Sequence, residues 1–459
     1  MNRPDENDYI RALGKRILSE ANDIKRTPEA LADELGFERQ IIRDVIDGKC
    51  DLTTVEEVIQ RMSVVYPIPF HDIWIERDDT DEGLLIMPAE DSESSSRILE
   101  RVDRNGNPTP YYEYRDTAMS RLAPYRPEWI REIRTVDDND PYNPDVAYNH
   151  GHLMHQFALF VGPVNFYWEA NGKKFCGSMN TGDSNYITPF VPHSYTSRDP
   201  KETAFIVAVT YGGDARMALD DFSRLNADDA ERLSGDLRNP SRAFKARLGR
   251  HLAAESMSEK ALVDLLVDEG MGKKEAALAV FDGRPEKDHI AVIAGVLKIR
   301  ESDLLVTAMT EDEEILLQNL NDVPSRNYPD DNVPAYRLTP MARHRHQPHL
   351  KAFQCEVLGD QPANAIMQHG LHEYVFNFSE APVTVCWNEN RSATLNPGDS
   401  AYVRPMIPHG FSRLSPESGE GRLLVVRIPG RLNDGAMNEL ASFAPVRRNR
   451  IHSETTRWF

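Results

Sequence analysis

The strongest constraint on what this chain can fold into is that it repeats itself. "NTGDSNYITPFVPHSY" (180–195) matches "NPGDSAYVRPMIPHGF" (396–411) without a gap. A weaker echo joins "LGKRILSEANDIKRTPEALADELGFERQIIRDVIDGK" (13–49) to "LGRHLAAESMSEKALVDLLVDEGMGKKEAALAVFDGR" (248–284). A repeated sequence implies a repeated supersecondary unit. Around the first pair, residues rich in Val, Phe, Tyr and Thr alternate between Gly-Asp turns, the pattern of short antiparallel strands. The second pair reads as short helices, with Thr27 as an N-cap and Gly36 at a turn, and resembles a helix-turn-helix module. The expected fold is therefore α+β, a helical module followed by a small β-barrel, in tandem. Its expected parts are helical 1–75, β 98–215, helical 240–310, β 325–430 and a C-terminal tail 431–459. The acidic, serine-rich "ERDDTDEGLLIMPAEDSESSS" (76–96) reads as a linker.

Charge narrows the partners. With a net charge of −20 over 459 residues, the chain lacks the basic face that phosphate backbones require. The helical modules are no exception: residues 1–75 carry 10 Lys and Arg against 15 Asp and Glu, and residues 241–310 carry 11 of each. No nucleic-acid partner is expected. The N-terminus is charged, no apolar run suits a signal peptide or membrane span, and the four cysteines are scattered without a C-x-x-C pair. The expected location is the cytoplasm, away from membranes.

The chemistry concentrates in "YNHGHLMHQF" (148–157). Side chains four residues apart on a strand share a face, so His152 and Gln156 point together into a barrel, and His193 reaches them from the strand after the Gly182-Asp183 turn. Two histidines and a third oxygen ligand form a three-sided metal set with open positions, with a neutral amide where a carboxylate is usual. "HGLHEYVF" repeats "HLMHQFAL", so His369, Glu373 and His409 fill the same slots in the second barrel and form a possible second metal site. His150 and His155 lie out of phase and read as surface or supporting groups. His344, His346 and His349 in "HRHQPH" read as a solvated strand edge or loop.

With these motifs in view, the chain resembles the cupin enzymes that process hydroxyalkylphosphonates. "YNHGHLMHQFALFVGPVNF" is similar to the N-x-G-H-x-x-x-E metal strand of the single-barrel epoxidase of that family, and the duplicated arrangement is similar to its two-barrel oxygenases. The resemblance implies two cupin (double-stranded β-helix) barrels, Fe(II) held by His152, Gln156 and His193, dioxygen as co-substrate and no 2-oxoglutarate. It implies 2-hydroxyethylphosphonate as substrate, bound by Lys25, Arg104, Tyr112, Tyr114 and Asn149, with Lys25 and Tyr114 also taking part in catalysis. Such groups suit a dianionic headgroup. Lys25 would act in its own chain or in a neighbour within a homo-oligomer. In the dioxygenase members a carboxylate ligand lies six residues before the second histidine, where this chain has Ile187. A glutamine at the position of Gln156 marks the methylphosphonate-forming members. The expected reaction is C–C cleavage to methylphosphonate and CO2, the alternative being cleavage to hydroxymethylphosphonate and formate. A reading of another class is a transcriptional regulator with ligand-sensing cupins.

Overall fold

The computed structural model describes residues 6–360, 366–415 and 419–453. Residues 1–5 of the expected first helical module, 361–365 and 416–418 of the second β part, and 454–459 of the tail lie outside these. No helix among the described residues is long and apolar enough to cross a membrane.

The first helices are Glu6–Asp23, Pro28–Leu35, Arg39–Ile46, Leu52–Val65 and Phe70–Ile73. They close over their own core, which includes Leu13, Ile17, Leu31, Ile42, Val58 and Ile59. Local chemistry sets their ends. The Thr27 hydroxyl accepts from Ala30 N, Pro28 occupies the first turn, and Gly36 leaves the helix at φ 79°. A second helical cluster, Pro240–Ala254, Glu259–Asp268, Lys273–Phe281, Lys287–Leu297 and Glu301–Leu304, has a separate core. Lys25 and Ser256, which follow the first helix of each cluster, both adopt left-handed backbone (φ 60° and 52°).

The remainder is antiparallel sheet. A seven-stranded sheet runs Ile315–Gln318, Ser184–Ile187, His155–Val161, Phe205–Tyr211, Tyr125–Glu132, Pro108–Asp116, Arg97–Val102, and faces a three-stranded sheet centred on Val164–Ala170. A second seven-stranded sheet runs Leu84–Met87, Ser400–Val403, His372–Asn377, Gly421–Ile428, Lys351–Val357, Tyr336–Pro340, Arg326–Tyr328, with its own three-stranded partner.

Each large sheet takes an edge strand from the other half of the chain. Leu84–Met87 precedes the first β unit but pairs with Ser400–Val403 of the second. Ile315–Gln318 precedes the second but pairs with Ser184–Ile187 of the first. The segment expected to be a linker thus contains a strand and the helix Ala89–Ser94. The duplicated Gly-Asp-Ser turns clasp these exchanges. Asp183 Oδ1 accepts from Leu320 N and Asp399 Oδ1 from Ala89 N, both at 2.8 Å. Ser184 Oγ accepts from Ala342 N at 2.9 Å and Ser400 Oγ from Ala118 N at 2.8 Å.

Strand periodicity then sorts the core. Ala158, Phe160, Ile206 and Ala208 face the first barrel's interior, whereas Phe157, Leu159, Val207 and Val209 pack with Tyr374, Phe376, Leu424 and Val426 between the barrels. Both faces of His155–Val161 are therefore buried. The "HRHQPH" segment joins that contact: His344 is 3% exposed and its ring stacks on Tyr186, correcting the expectation of a solvated edge.

Candidate metal centre

Gln156 lies on the interior face of His155–Val161, His193 opens the strand His193–Ser197, and His152 sits in the loop just before the first of these. Gly151 lets that loop pass close to its neighbour. Its φ is 72°, and a Cβ there would stand 2.4 Å from the Phe190 carbonyl carbon. Phe190 N donates to His152 O at 2.8 Å, and Asn149 Oδ1 accepts from Gly151 N and His193 N. The histidines are thus held through backbone on two sides.

The donor set suits a divalent cation. His152 Nδ1 donates to Met154 O at 3.0 Å and His193 Nδ1 to Val191 O at 2.8 Å, which leaves both Nε2 lone pairs facing inward. The rings stand 5.5 Å apart at 88°. Gln156 spends its amide hydrogens outward, donating to the Tyr195 hydroxyl at 2.8 Å, so its Oε1 faces His152 Nε2 across 3.1 Å. In the neutral, Nδ1-protonated form of His152, two lone pairs oppose each other there. A cation bound by both would turn that repulsion into attraction. Burial, then the neighbouring His152, depresses the His193 pKa to about 4, so its imidazole is neutral and competent to ligate.

Beside these atoms lies a cavity of about 330 Å³ lined by Arg101, Tyr112, Tyr114, Arg126, Glu128 and Thr210, and also by Asn149. Asn149 Nδ2 donates to His193 Nε2 at 3.0 Å. The Tyr112 hydroxyl already accepts from Tyr195 N at 2.8 Å, bracing the strand that carries His193. Tyr114 reaches the same cavity, where burial, and then Glu128, push its pKa up to about 12. It therefore stays a hydrogen-bond donor. Burial likewise raises the Glu128 pKa. Arg101 Nε is buried without a protein partner among the described residues.

Two expected substrate groups lie elsewhere. Arg104 sits in the turn after the strand Arg97–Val102, where its Nε donates to Asp145 Oδ2 at 2.6 Å in a separate open recess. It does not line the metal cavity; Arg101 does. Lys25, in the first helical cluster, donates to the carbonyls of Asn22 and Asp23 and does not line it either. Arg101, Arg126 and Glu128 escaped the sequence reading, although the parity of Tyr125–Glu132 puts residues 126, 128 and 130 on one face. His155 hydrogen-bonds the Tyr186 hydroxyl at 2.6 Å and stacks on Tyr211, between the barrels and away from the ligand set.

The second barrel repeats the geometry with one added charge. His369 and His409 stand 5.6 Å apart at 88°, and their donor atoms and that of Glu373 lie within 4.8 Å of one another. In register with Glu373, however, is Arg427, where the first barrel pairs Gln156 with Thr210. Arg427 Nε donates to Glu373 Oε2 at 2.5 Å.

No protein-family model matches the chain. Over its full length it is 36% identical to methylphosphonate synthase of Nitrosopumilus maritimus, spanning 97% of that protein. It is 26% identical to (S)-2-hydroxypropylphosphonic acid epoxidase of Streptomyces wedmorensis over 29% of this chain and 62% of the epoxidase. Among solved structures, Streptomyces albus HEPD with 2-hydroxyethylphosphonate and Fe(II) bound matches with a TM-score of 0.88 at 34% identity, covering 99% of this chain and all of that one.

Proposed function

This chain belongs to the family of methylphosphonate synthase and 2-hydroxyethylphosphonate dioxygenase, and from that premise we propose that it is an Fe(II)-dependent oxygenase that converts 2-hydroxyethylphosphonate and O2 to methylphosphonate, CO2 and water. The observation that carries the choice of product is the third donor. Gln156 offers an amide oxygen between the two histidines, and its neighbour across the strand pair is the apolar Ile187.

Fe(II) bound by His152, Gln156 and His193 would supply a site where dioxygen and the substrate meet. The protein's own groups do the rest. Arg101 meets the phosphonate dianion with a guanidinium whose Nε has no competing protein partner among the described residues. Tyr114 donates from its phenol, and Asn149 turns its amide hydrogens toward the substrate once His193 Nε2 is engaged by metal. The Tyr112 hydroxyl holds the His193 strand in place. The substrate carbon released as CO2 supplies all four electrons that O2 takes up, so 2-oxoglutarate has no role. Lys25 does not line the cavity, so in this reading it reaches substrate by movement of its own helical cluster or from a second copy in a homo-oligomer. The finer fold reading accompanies it: two helix-turn-helix-like modules, each followed by a cupin barrel, with Lys25 and Ser256 at equivalent turns. Four free thiols accord with a cytoplasmic location.

Anaerobic loading with Fe(II), addition of 2-hydroxyethylphosphonate and exposure to air, followed by phosphorus NMR, is expected to yield methylphosphonate. Hydroxymethylphosphonate would overturn the product assignment, and unchanged substrate would overturn the class.

The second barrel fits a silenced metal site better than an occupied one. Leu371 N donates to His369 Nδ1, so His369 Nε2 carries its proton toward Glu373, 3.0 Å away. The first barrel has the opposite tautomer at His152. Arg427 is already the counter-ion of Glu373. A divalent ion sharing that carboxylate would be repelled by roughly twice the ~4 kcal/mol of a unit-charge pair at about 4 Å in an effective dielectric near 20. Iron analysis of loaded protein is expected to find about one equivalent per chain in the wild type and His369→Ala, and toward two in Arg427→Thr. Two equivalents in the wild type would reject the silencing.

A further inference from the structure

An amide ligand differs from a carboxylate in having two unlike ends. Only the oxygen of Gln156 can bind iron, so something must accept the N–H groups and keep that oxygen turned inward. We infer that Tyr195 is the positioning residue that sets which end of the Gln156 amide faces the metal. The inference rests on the reading of His152, Gln156 and His193 as the iron ligands.

The geometry supplies the means. The Tyr195 hydroxyl accepts from Gln156 Nε2 at 2.8 Å and from Asn185 Nδ2 at 3.3 Å. Its ring is 4% exposed, stacked on Phe166 at 5.0 Å, and its backbone N–H is tied to the Tyr112 hydroxyl. The oxygen is thus fixed by packing before the glutamine reaches it.

The second barrel serves as an internal control. Its ligand slot holds Glu373, whose two ends are alike and carry no N–H. At the position of Tyr195, two residues past the histidine, stands Phe411, and at the position of Asn185 stands Ala401. The hydroxyl and its supporting amide occur together in the barrel with glutamine and are both missing from the barrel with glutamate. General packing would not require that pairing, because Phe411 fills its site equally well, 1% exposed.

The test uses the whole protein. Tyr195→Phe removes one oxygen from a ring that stays packed, and it is expected to weaken Fe(II) binding by about 10–100-fold in an anaerobic titration. It should also change the ligand-field absorption of the Co(II)-loaded protein. Adding Gln156→Glu to that variant recreates the Glu–Phe pairing that the other barrel already accommodates, and should restore binding to within a few-fold of wild type. Wild-type affinity and spectrum in Tyr195→Phe would overturn the inference. So would a double variant as weak as the single one, since that marks a packing role. If wild-type protein binds no Fe(II), the ligand reading itself fails, which is a separate outcome.

Discussion

His152→Ala is expected to give a folded protein that retains no iron after desalting and shows no oxygen uptake with 2-hydroxyethylphosphonate. The side chain supplies one of three donors, and the remaining pair, a buried histidine and an amide oxygen, is too weak a set to hold Fe(II) in water. Folding should survive because His152 sits in a loop outside the strand ladders, its ring bonded to Met154 O while its Nε2 only faces Gln156 Oε1. The far-UV circular dichroism spectrum should match wild type. His369→Ala, which occupies the same slot in the other barrel, should retain turnover. Iron content and activity surviving in His152→Ala would remove the ligand assignment.

The next largest effect is expected at Arg101. Arg101→Met keeps the stem of the side chain but takes the cation out of the cavity. Losing one partner of a desolvated charge pair costs roughly 2–5 kcal/mol, so KM for 2-hydroxyethylphosphonate should rise by about 30-fold or more. Arg104→Met is the control. Its guanidinium is 54% exposed and satisfied by Asp145, so its removal should leave KM within about two-fold of wild type. The reverse ranking would return the phosphonate to Arg104 and to the recess it borders.

Those two arginines show where residue spacing stops determining position. The grouping of His152, Gln156 and His193 came into view through their spacing and through the duplication, which presents His369, Glu373 and His409 in the same phase; strand parity places Gln156, whereas His152 stands in the loop ahead of that strand. Arg101 and Arg104 are three residues apart, and the strand carrying the first has a register shift between Leu99 and Glu100. Spacing could not say which one turns inward and which one belongs to the turn. Arg427 was invisible for a related reason. Its importance lies in standing opposite Glu373 across a strand pair 54 residues apart in sequence, and only the register reveals it. His344 was read as solvated because nothing local says that two barrels meet over it. Thr27 and Gly36 were legible, by contrast, since helix caps are decided within a few residues. The acidic stretch 76–96 misled because Leu84–Met87 is four residues long and its partner strand begins at Ser400.

That traded strand also bears on inheritance. A fragment encoding only residues 98–215 would lack Ile315–Gln318, whose Ile315 lies in register with Ile187 and so one strand away from Gln156. A fragment encoding only 325–430 would lack Leu84–Met87 in the same way. Neither copy can be deleted, or recombined onto another chain, without stripping an edge from its sibling and exposing unpaired backbone there. Once the two units had exchanged strands, the duplication became a one-way step. A second unit whose Glu373 is already paired with Arg427 can then persist in the gene because the first unit takes an edge strand from the segment that leads into it.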